Sequence, residues 1–412
     1  MNGIGLIILA ALAANFALAL LADILNLSRL RPELPEAFAG IYNEEQYRKS
    51  QAYLLVNTRF GWITDTFHLL VLILFWFGNG FAVLDDWARA WGQGPIVTGL
   101  LYMGALILAR ALLSLPFRVY DTFVIEERFG FNKTTGKTFV ADLFKGLLLG
   151  LLLGTPLLAA VLAFFEFAGT AAWLYCWGAV TLFMLAVQFI APTWIMPLFN
   201  QFKPIEDGEL KTAIFSYARS IRFPLQNVFV MDGSKRSSKS NAFFAGFGRN
   251  KRIVLYDTLV AQHSVAELVA VLAHEMGHYR KKHIPGMLAF GILQMGLVFY
   301  LLSFFISDPD LFAAFHMTRP SVYAGLIFFS LLYTPIDFAA GLLAQWISRR
   351  NEYAADRFAA ETTHDPESLA TALKKLSARN LSNLLPHPFY VFLHYSHPPV
   401  LERIRALSSI GR

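Results

Sequence analysis

Residues 265–278 read VAELVAVLAHEMGH, and this stretch predicts a helix that carries a metal-binding motif. Its first eight residues are good helix formers and include neither glycine nor proline. Ser264 precedes the run, and Glu267 follows three residues later, which is the pattern of a capping box at a helix N-terminus. We therefore expect one unbroken helix from Val265 to His278.

The last five residues of the stretch, HEMGH, place three functional side chains on this helix. His274 and His278 are four residues apart, so both imidazoles face the same metal ion. Glu275 projects beside that ion, where it can deprotonate a bound water rather than act as a ligand. Zinc-dependent peptide hydrolysis uses this division of roles. The motif therefore predicts a zinc hydrolase, provided that another segment supplies a further ligand.

The composition indicates a membrane protein. Of 412 residues, 56% are hydrophobic and 16% are charged, whereas soluble domains contain about 25% charged residues. Seven apolar runs are long enough to cross a bilayer as helices. They are Gly5–Leu25, Ile63–Val83, Val97–Leu115, Leu143–Phe165, Ala171–Ala191, Met287–Ile306 and Val322–Ile347. Arg110 and Asp337 lie within two of these runs, and such charges usually face a bundle interior or a water-filled cavity.

The distribution of basic residues predicts the orientation in the membrane. The segment between the fifth and sixth runs and the tail after the seventh are both rich in lysine and arginine, so we expect both in the cytoplasm. Seven spans then place the N-terminus on the non-cytoplasmic side. The net charge of +6 reflects this topology, and no interleaved basic and aromatic surface favours nucleic acid as a partner.

The spans divide the chain into four parts. Residues 1–192 hold five spans, 193–285 the motif helix, 286–347 a membrane hairpin and 348–412 a second extramembrane segment. The hairpin can return the last part to the first extramembrane segment, so that both build one catalytic domain. Asn227–Met231 and Arg252–Tyr256 read as short strands, and Ser237–Gly248 as an edge strand or extended loop.

A catalytic zinc site needs a third protein ligand besides the two histidines. Cys176, the single cysteine, lies inside a predicted span. Glu352 and Asp356 share one helical face just after the last span, so Glu352 can bind the metal and Asp356 can orient a ligating imidazole. By itself this segment would read as a solvated charged helix; together with HEMGH and the hairpin, it supplies the best candidate ligand.

The remaining polar candidates are ambiguous on spacing alone. His397 and Arg403 could stabilise an oxyanion or hold a substrate carbonyl, but their spacing favours an ordinary loop and a helix-surface arginine. His283 could support the metal site or lie at the membrane interface, and the sequence slightly favours the interface.

Several segments together resemble the CAAX prenyl protease 1 family of integral-membrane zinc endopeptidases. They are HEMGH, NEYAAD at 351–356, SSKSNAFFAGFGRNKRIVLYDTL at 237–259, SHPPVLERI at 396–404, and the stretches at 123–133 and 197–211. The resemblance covers nearly the whole chain. It implies an all-α multi-span membrane protein, with seven transmembrane helices forming a chamber and a cytosolic zinc metalloprotease domain that contains a small β-sheet.

The resemblance also implies functional roles for individual residues. One Zn²⁺ would be held by His274, His278 and Glu352, with Glu275 and His397 as catalytic residues and Asp356 as the outer carboxylate. Arg403 and the edge segment Asn241, Ala242 and Phe243 would bind the substrate, the latter by β-augmentation. The expected substrate is a prenylated CAAX-type peptide or another membrane-associated peptide, cut near its C-terminus.

Two other functions remain open at this stage. A membrane quality-control protease of the heat-shock type would share the chemistry without prenyl specificity, although that group is usually built with fewer spans. A transporter or channel with a structural zinc is compatible with seven spans, but a structural site would have four ligands and no need of Glu275. The alanine- and leucine-rich composition, with short loops, indicates a bacterial inner membrane as the location. The sequence leaves the oligomeric state open.

Overall fold

The computed structural model describes residues 1–245 and 252–410, which are mainly helical. The helices of the N-terminal half are α1 (Gly3–Leu27), α2 (Glu44–Phe77), α3 (Gly80–Ala90), α4 (Pro95–Tyr120), α5 (Gly136–Leu149), α6 (Thr155–Phe167) and α7 (Ala172–Ile190). Those that follow are α8 (Glu209–Ser220), α9 (Asp257–Val260), α10 (Val265–Arg280), α11 (His283–Phe305), α12 (Pro309–Ala314), α13 (Val322–Leu332), α14 (Thr334–Thr363), α15 (Pro366–Arg379), α16 (Pro388–His394) and α17 (Val400–Ile410).

Six helical segments are long and apolar enough to cross a bilayer. They are Gly3–Leu27, Glu44–Phe77, Pro95–Glu126, Gly136–Phe167, Gly169–Leu198 and His283–Phe305. A seventh span is possible if α13 and α14, which meet at a 57° bend, count as one. Pro335 lies in the first turn of α14 and has no N–H to continue the helical hydrogen bonds of α13. The predicted multi-span architecture is therefore confirmed, but its last span is bent.

The predicted limits of the second span were wrong. The sequence indicated Ile63–Val83, whereas α2 starts at Glu44 and ends at Phe77. Asn79 follows in the left-handed conformation, with a φ of 57°, and α3 then begins as a separate helix. Asparagine tolerates this conformation better than most residues, so the chain turns where its apolar character still continues.

Four strands form a small mixed sheet in the order β1-β2-β4-β3. They are β1 (Phe202–Pro204), β2 (Val228–Met231), β3 (Ala242–Ala245) and β4 (Arg252–Tyr256). β2 and β4 are parallel, and the two outer pairs are antiparallel. The two predicted strands are present, and the predicted extended segment forms β3, although its residues from Gly246 onward lie outside the described part. β1 was not predicted, because it is short and ends in a proline, which an edge strand tolerates.

Helix α10 is buried on two sides. Leu268, Leu272 and Met276 pack against the sheet through Ile253 and Leu255. On the other side, Ala270 and Ala273 join a core with α14, α15 and α17 that includes Ala359, Leu369 and Ile404. The capping box of Ser264 and Glu267 is present, as predicted. A helix with two apolar faces belongs inside a domain, and this one holds the two extramembrane segments together.

Candidate active site

The metal-binding motif meets the second extramembrane segment because α10 and α14 approach each other closely at Gly277. A Cβ atom at this position would lie 3.2 Å from both Cα and the carbonyl oxygen of Ala355, and 3.1 Å from Cδ1 of Phe358. These distances are shorter than ordinary carbon contacts. Glycine in the motif therefore allows the two helix backbones to approach, and Glu352 is brought to the histidines.

The structure brings His274, His278 and Glu352 together, with ligand atoms that all lie within 4.8 Å of one another. The Nε2 atoms of the two histidines are 3.1 Å apart. Glu352 Oε1 is 3.1 Å from His278 Nε2, and Glu352 Oε2 is 3.5 Å from His274 Nε2. Two ligands bound tetrahedrally at about 2.0–2.1 Å from one ion would be roughly 3.3 Å apart. The three side chains thus have the spacing of a metal site.

The chemistry of these donor atoms also fits a metal ion. Glu352 is buried, and its Oε2 accepts no hydrogen bond from the described residues. Arg403 Nη1 lies 3.3 Å from that oxygen but does not satisfy it. A buried carboxylate oxygen without a donor is costly, and two imidazole nitrogens facing each other cannot both present lone pairs without a cation between them. A divalent ion bound by two nitrogens and a carboxylate would satisfy all three groups.

Asp356 lies behind His274 and is itself held by Arg403. Its Oδ1 is 2.8 Å from His274 Nδ1. Arg403 donates from Nη2 to Oδ1 at 2.7 Å and from Nε to Oδ2 at 2.8 Å, which is a bidentate pair. Both side chains are buried. The guanidinium is therefore engaged with the carboxylates of the site, a position that spacing along the sequence did not indicate.

Glu275 stands between the two histidines in the sequence and is only partly accessible. Burial raises the pKa of its carboxyl group above the ordinary value, although His274 and His278 act in the opposite direction. Glu352 contributes to the increase through repulsion between the two carboxylates. Such a group exchanges protons more readily near neutral pH than an exposed glutamate does.

His397 reaches the same centre from a loop between α16 and α17. Its Nε2 lies 3.4 Å from Glu352 Oε1, and its side chain is 63% exposed. Arg349 holds the loop by donating to the carbonyl oxygens of Val391 and Tyr395 at 3.3 and 2.5 Å. Spacing alone favoured an unrelated loop histidine, whereas the structure places His397 at the entrance to the metal-binding residues.

Cavities lie on two sides of the site. One of about 740 Å³ is lined by Asn241, His397 and Arg403, among other residues. A second of about 370 Å³ is lined by His278, His283 and residues of α7, α11 and α14. Both cavities therefore adjoin the site, the larger through His397 and Arg403 and the smaller through His278.

The sequence slightly favoured an interfacial position for His283 over a supporting role at the metal site, whereas the structure places it against His278. Its Nδ1 is 3.0 Å from Nδ1 of His278. Helical periodicity could not reveal this contact, because α10 ends at Arg280 and the next helix begins at His283 itself.

Comparison with known proteins identifies the family of this chain. The family model "CAAX prenyl protease N-terminal, five membrane helices" matches residues 23–201, and the model "Peptidase family M48" matches residues 204–411. The "CAAX prenyl protease 1 homolog" of Oryza sativa subsp. japonica is 38% identical over 91% of this chain and 90% of its own length. The "CAAX prenyl protease 1" of Saccharomyces cerevisiae is 34% identical over 92% of this chain and 89% of its own length.

A solved structure shows the same architecture. The crystal structure of S. mikatae Ste24p superposes with a TM-score of 0.93, at 34% sequence identity and over 99% of each chain. The membrane helices, the small sheet and the helix with HEMGH thus belong to one shared fold. On this evidence the chain belongs to the CAAX prenyl protease 1 family, whose members are integral-membrane metalloendopeptidases of peptidase family M48.

Proposed function

We propose that this protein is a zinc endopeptidase that cuts membrane-associated peptides of the CAAX type near their C-terminus. The observation that carries this proposal is the convergence of His274, His278 and Glu352, with Glu275 on the same helix, beside the free edge of a β-sheet. The names of the relatives supply the substrate class.

One Zn²⁺ per chain would be held by His274, His278 and Glu352, which leaves a coordination position for water or substrate. When bound, the ion supplies Lewis acidity at the scissile carbonyl and lowers the pKa of its water to about 7. The two nitrogens and one carboxylate are the donor set of a catalytic site and not of a closed structural one. This argues against the alternative of a transporter with a structural zinc.

Side chains of the protein transfer the proton of the attacking water and stabilise the negative charge that develops on the oxyanion. Glu275 takes the proton from the attacking water and delivers it to the leaving amine, so the carboxylate is regenerated in each turnover. The side chain of His397 donates a hydrogen bond to the oxyanion of the tetrahedral intermediate. Asp356 accepts a hydrogen bond from the Nδ1–H group of His274 and so fixes the tautomer of that histidine. Arg403 neutralises Asp356 and borders the larger cavity, where it would also contact substrate.

The substrate backbone would bind along β3. The carbonyl oxygen of Asn241 accepts a hydrogen bond from the Tyr256 amide of β4 at 3.0 Å. In an antiparallel pair, successive residues direct their main-chain groups alternately toward and away from the neighbouring strand. The main-chain groups of Ala242 therefore point away from β4, toward the side of β3 where a peptide could bind. The Ala242 amide now donates to the Asn241 side chain at 2.9 Å, which a peptide carbonyl would replace. Asn380 holds the backbone of Ser240 through two hydrogen bonds of 3.0 and 3.1 Å, so the accessible edge starts at Asn241 and continues to Phe243.

The catalytic domain and the C-terminus would face the cytoplasm, with the N-terminus on the other side of the membrane. The basic segments around residues 193–285 and 348–412 support this orientation. The alanine- and leucine-rich composition supports a bacterial inner membrane. The charged Arg110 and Asp337 side chains are exposed within membrane helices, and Asp337 accepts a hydrogen bond from Gln294 at 3.2 Å. These polar groups favour a water-filled chamber between the spans.

The test compares matched CAAX peptides with and without a farnesyl group, incubated with the purified protein. Mass spectrometry of the products gives the position of the cut. We expect zinc-dependent cleavage at one bond near the C-terminus, with the farnesylated peptide preferred. Equal cleavage of both peptides at scattered sites would instead favour the quality-control alternative.

The Glu275→Gln variant tests the mechanism. It keeps the metal ligands, so we expect wild-type zinc content and a loss of turnover on the order of 10²–10⁴-fold. Retained zinc with normal cleavage would disprove the role of Glu275. A wild-type protein that binds zinc but cuts neither peptide would favour a structural metal.

A further inference from the structure

We propose that His283 is a positioning residue for the metal: its Nδ1 accepts a hydrogen bond from the protonated Nδ1 of His278 and so fixes the tautomer and ring orientation of that ligand. This inference rests on the proposed function only in so far as His278 binds a metal.

The geometry of His278 determines which nitrogen carries its proton. Its Nε2 faces the other two metal-binding side chains, at 3.1 Å from both His274 Nε2 and Glu352 Oε1. A ligating nitrogen must present its lone pair, so the proton of the neutral ring has to be on Nδ1. That Nδ1–H needs an acceptor, since a donor that is mostly withdrawn from water and has no partner is costly.

His283 supplies this acceptor. The two Nδ1 atoms are 3.0 Å apart, within the range of an N–H hydrogen bond. The rings are nearly perpendicular, at 74°, with centroids 5.1 Å apart, so they are not stacked face to face. If His278 donates, His283 must be neutral with its own proton on Nε2.

The backbone shows how His283 reaches this position. Helix α10 ends at Arg280, and Lys282 adopts a φ of 60° immediately before α11 begins. The left-handed conformation is uncommon for a lysine, and such residues persist where the surrounding structure requires them. Here the turn at Lys282 directs the first side chain of α11 back to the last turn of α10, so a membrane helix starts with the residue that contacts the metal ligand.

The two histidine ligands thus have different partners. His274 is oriented by the Asp356 carboxylate, whose negative charge is balanced by the bidentate Arg403. His278 is oriented by an imidazole, which adds no charge. Neither partner therefore adds net negative charge beside the ion. This matters because extra negative charge would weaken the Lewis acidity of the metal. His283 sets ligand geometry, whereas Glu275 and His397 take part in the reaction.

The experiment measures the zinc dissociation constant by competition with a chelator for wild type and four variants. Partners of metal-bound histidines typically contribute about 10–100-fold in affinity. We expect His283→Ala and His283→Leu to weaken zinc binding by a factor in that range. His283→Asn should stay within about threefold of wild type, because an asparagine Oδ1 can occupy the place of the histidine Nδ1 and accept the same proton. Lys281→Ala, an exposed change in the same turn, should leave the affinity unchanged.

Peptide cleavage at saturating zinc gives a second readout. We expect kcat to fall in the Ala and Leu variants with KM unchanged, and to recover in the Asn variant. Wild-type zinc affinity in folded His283→Ala or His283→Leu would overturn the proposal. A His283→Asn variant that binds zinc as weakly as His283→Leu would also overturn it, since that result would mean that only the packing of the side chain matters. If His283→Ala does not fold, the zinc affinities of His283→Leu and His283→Asn are compared instead. Absence of zinc from wild type would refute the proposed function itself, which is a distinguishable result.

Discussion

Gly277 offers the sharpest test of how the metal-binding residues are brought together. The variant Gly277→Ala sets two effects against each other. Alanine in a helix interior is favoured over glycine by about 1 kcal/mol, whereas overpacking of a tight contact costs about 1–3 kcal/mol. The structure decides which effect is larger.

The new Cβ would lie 3.1 Å from Phe358 Cδ1, which can rotate away, and 3.2 Å from Cα and the carbonyl oxygen of Ala355, which cannot. Helix α14 must therefore move away from α10 by a few tenths of an ångström. Glu352 lies one turn from Ala355, so the movement reaches the carboxylate ligand. Metal–ligand distances tolerate changes of only about 0.2 Å. We expect a net destabilisation of roughly 0–2 kcal/mol and a zinc affinity lowered about tenfold or more.

The assays are thermal unfolding in detergent and zinc competition, carried out on both Gly277→Ala and Gly286→Ala. Gly286 is a matched control, since an added Cβ there meets no atom within 4 Å. That variant should keep its zinc affinity and show equal or higher stability. A Gly277→Ala protein that is more stable than wild type, with normal zinc affinity, would refute the argument that glycine is required for the helix approach.

Three further substitutions test the supports of the site. Asp356→Ala leaves the Arg403 guanidinium buried without its bidentate partner, so we expect a loss of about 3–5 kcal/mol in denaturant unfolding; a loss below 1 kcal/mol would show that the pair is solvated. Ser264→Ala removes the capping box of α10 and should cost about 0.5–2 kcal/mol without a change in zinc affinity. Asn26→Leu removes a buried side-chain oxygen that accepts hydrogen bonds from the Asn383 side chain and the His387 amide, both at 3.1 Å. We expect the free energy of unfolding to fall by about 1–3 kcal/mol and proteolysis near residues 383–387 to become faster. Unchanged proteolysis would contradict this.

Local patterns predicted most of the elements. Helix α10 begins at Val265, as its capping box indicates, and β4 has the predicted bounds Arg252–Tyr256. The predictions were weaker at breaks within apolar sequence, at Asn79 and Pro335, because hydrophobicity continues through both turns. There, backbone conformation and not polarity ends the helix.

In the active site, too, local patterns predicted some contacts and missed others. His274 and His278 are neighbours by helical geometry alone, so any helix over residues 265–278 brings them together. Glu352, by contrast, would read by itself as a charged residue on a solvated helix; HEMGH and the predicted hairpin made it the best candidate ligand, and the packing of α14 against α10 brings it to the histidines. Arg403 and His397 carried no usable spacing signal, since the arrangement that buries one and exposes the other is formed by α14, α16 and α17 together.

The sequence by itself determined the membrane class, the helix of HEMGH and the proximity of His274 and His278, because these depend on composition and on residues within one or two turns of each other. The tertiary structure decided the role of Gly277 as the point of helix approach, the contact of His283 with His278, and the free edge at Ala242. Each of these depends on the relative positions of segments that are distant in the sequence. The periodicity of residues within one segment carries no information about those positions.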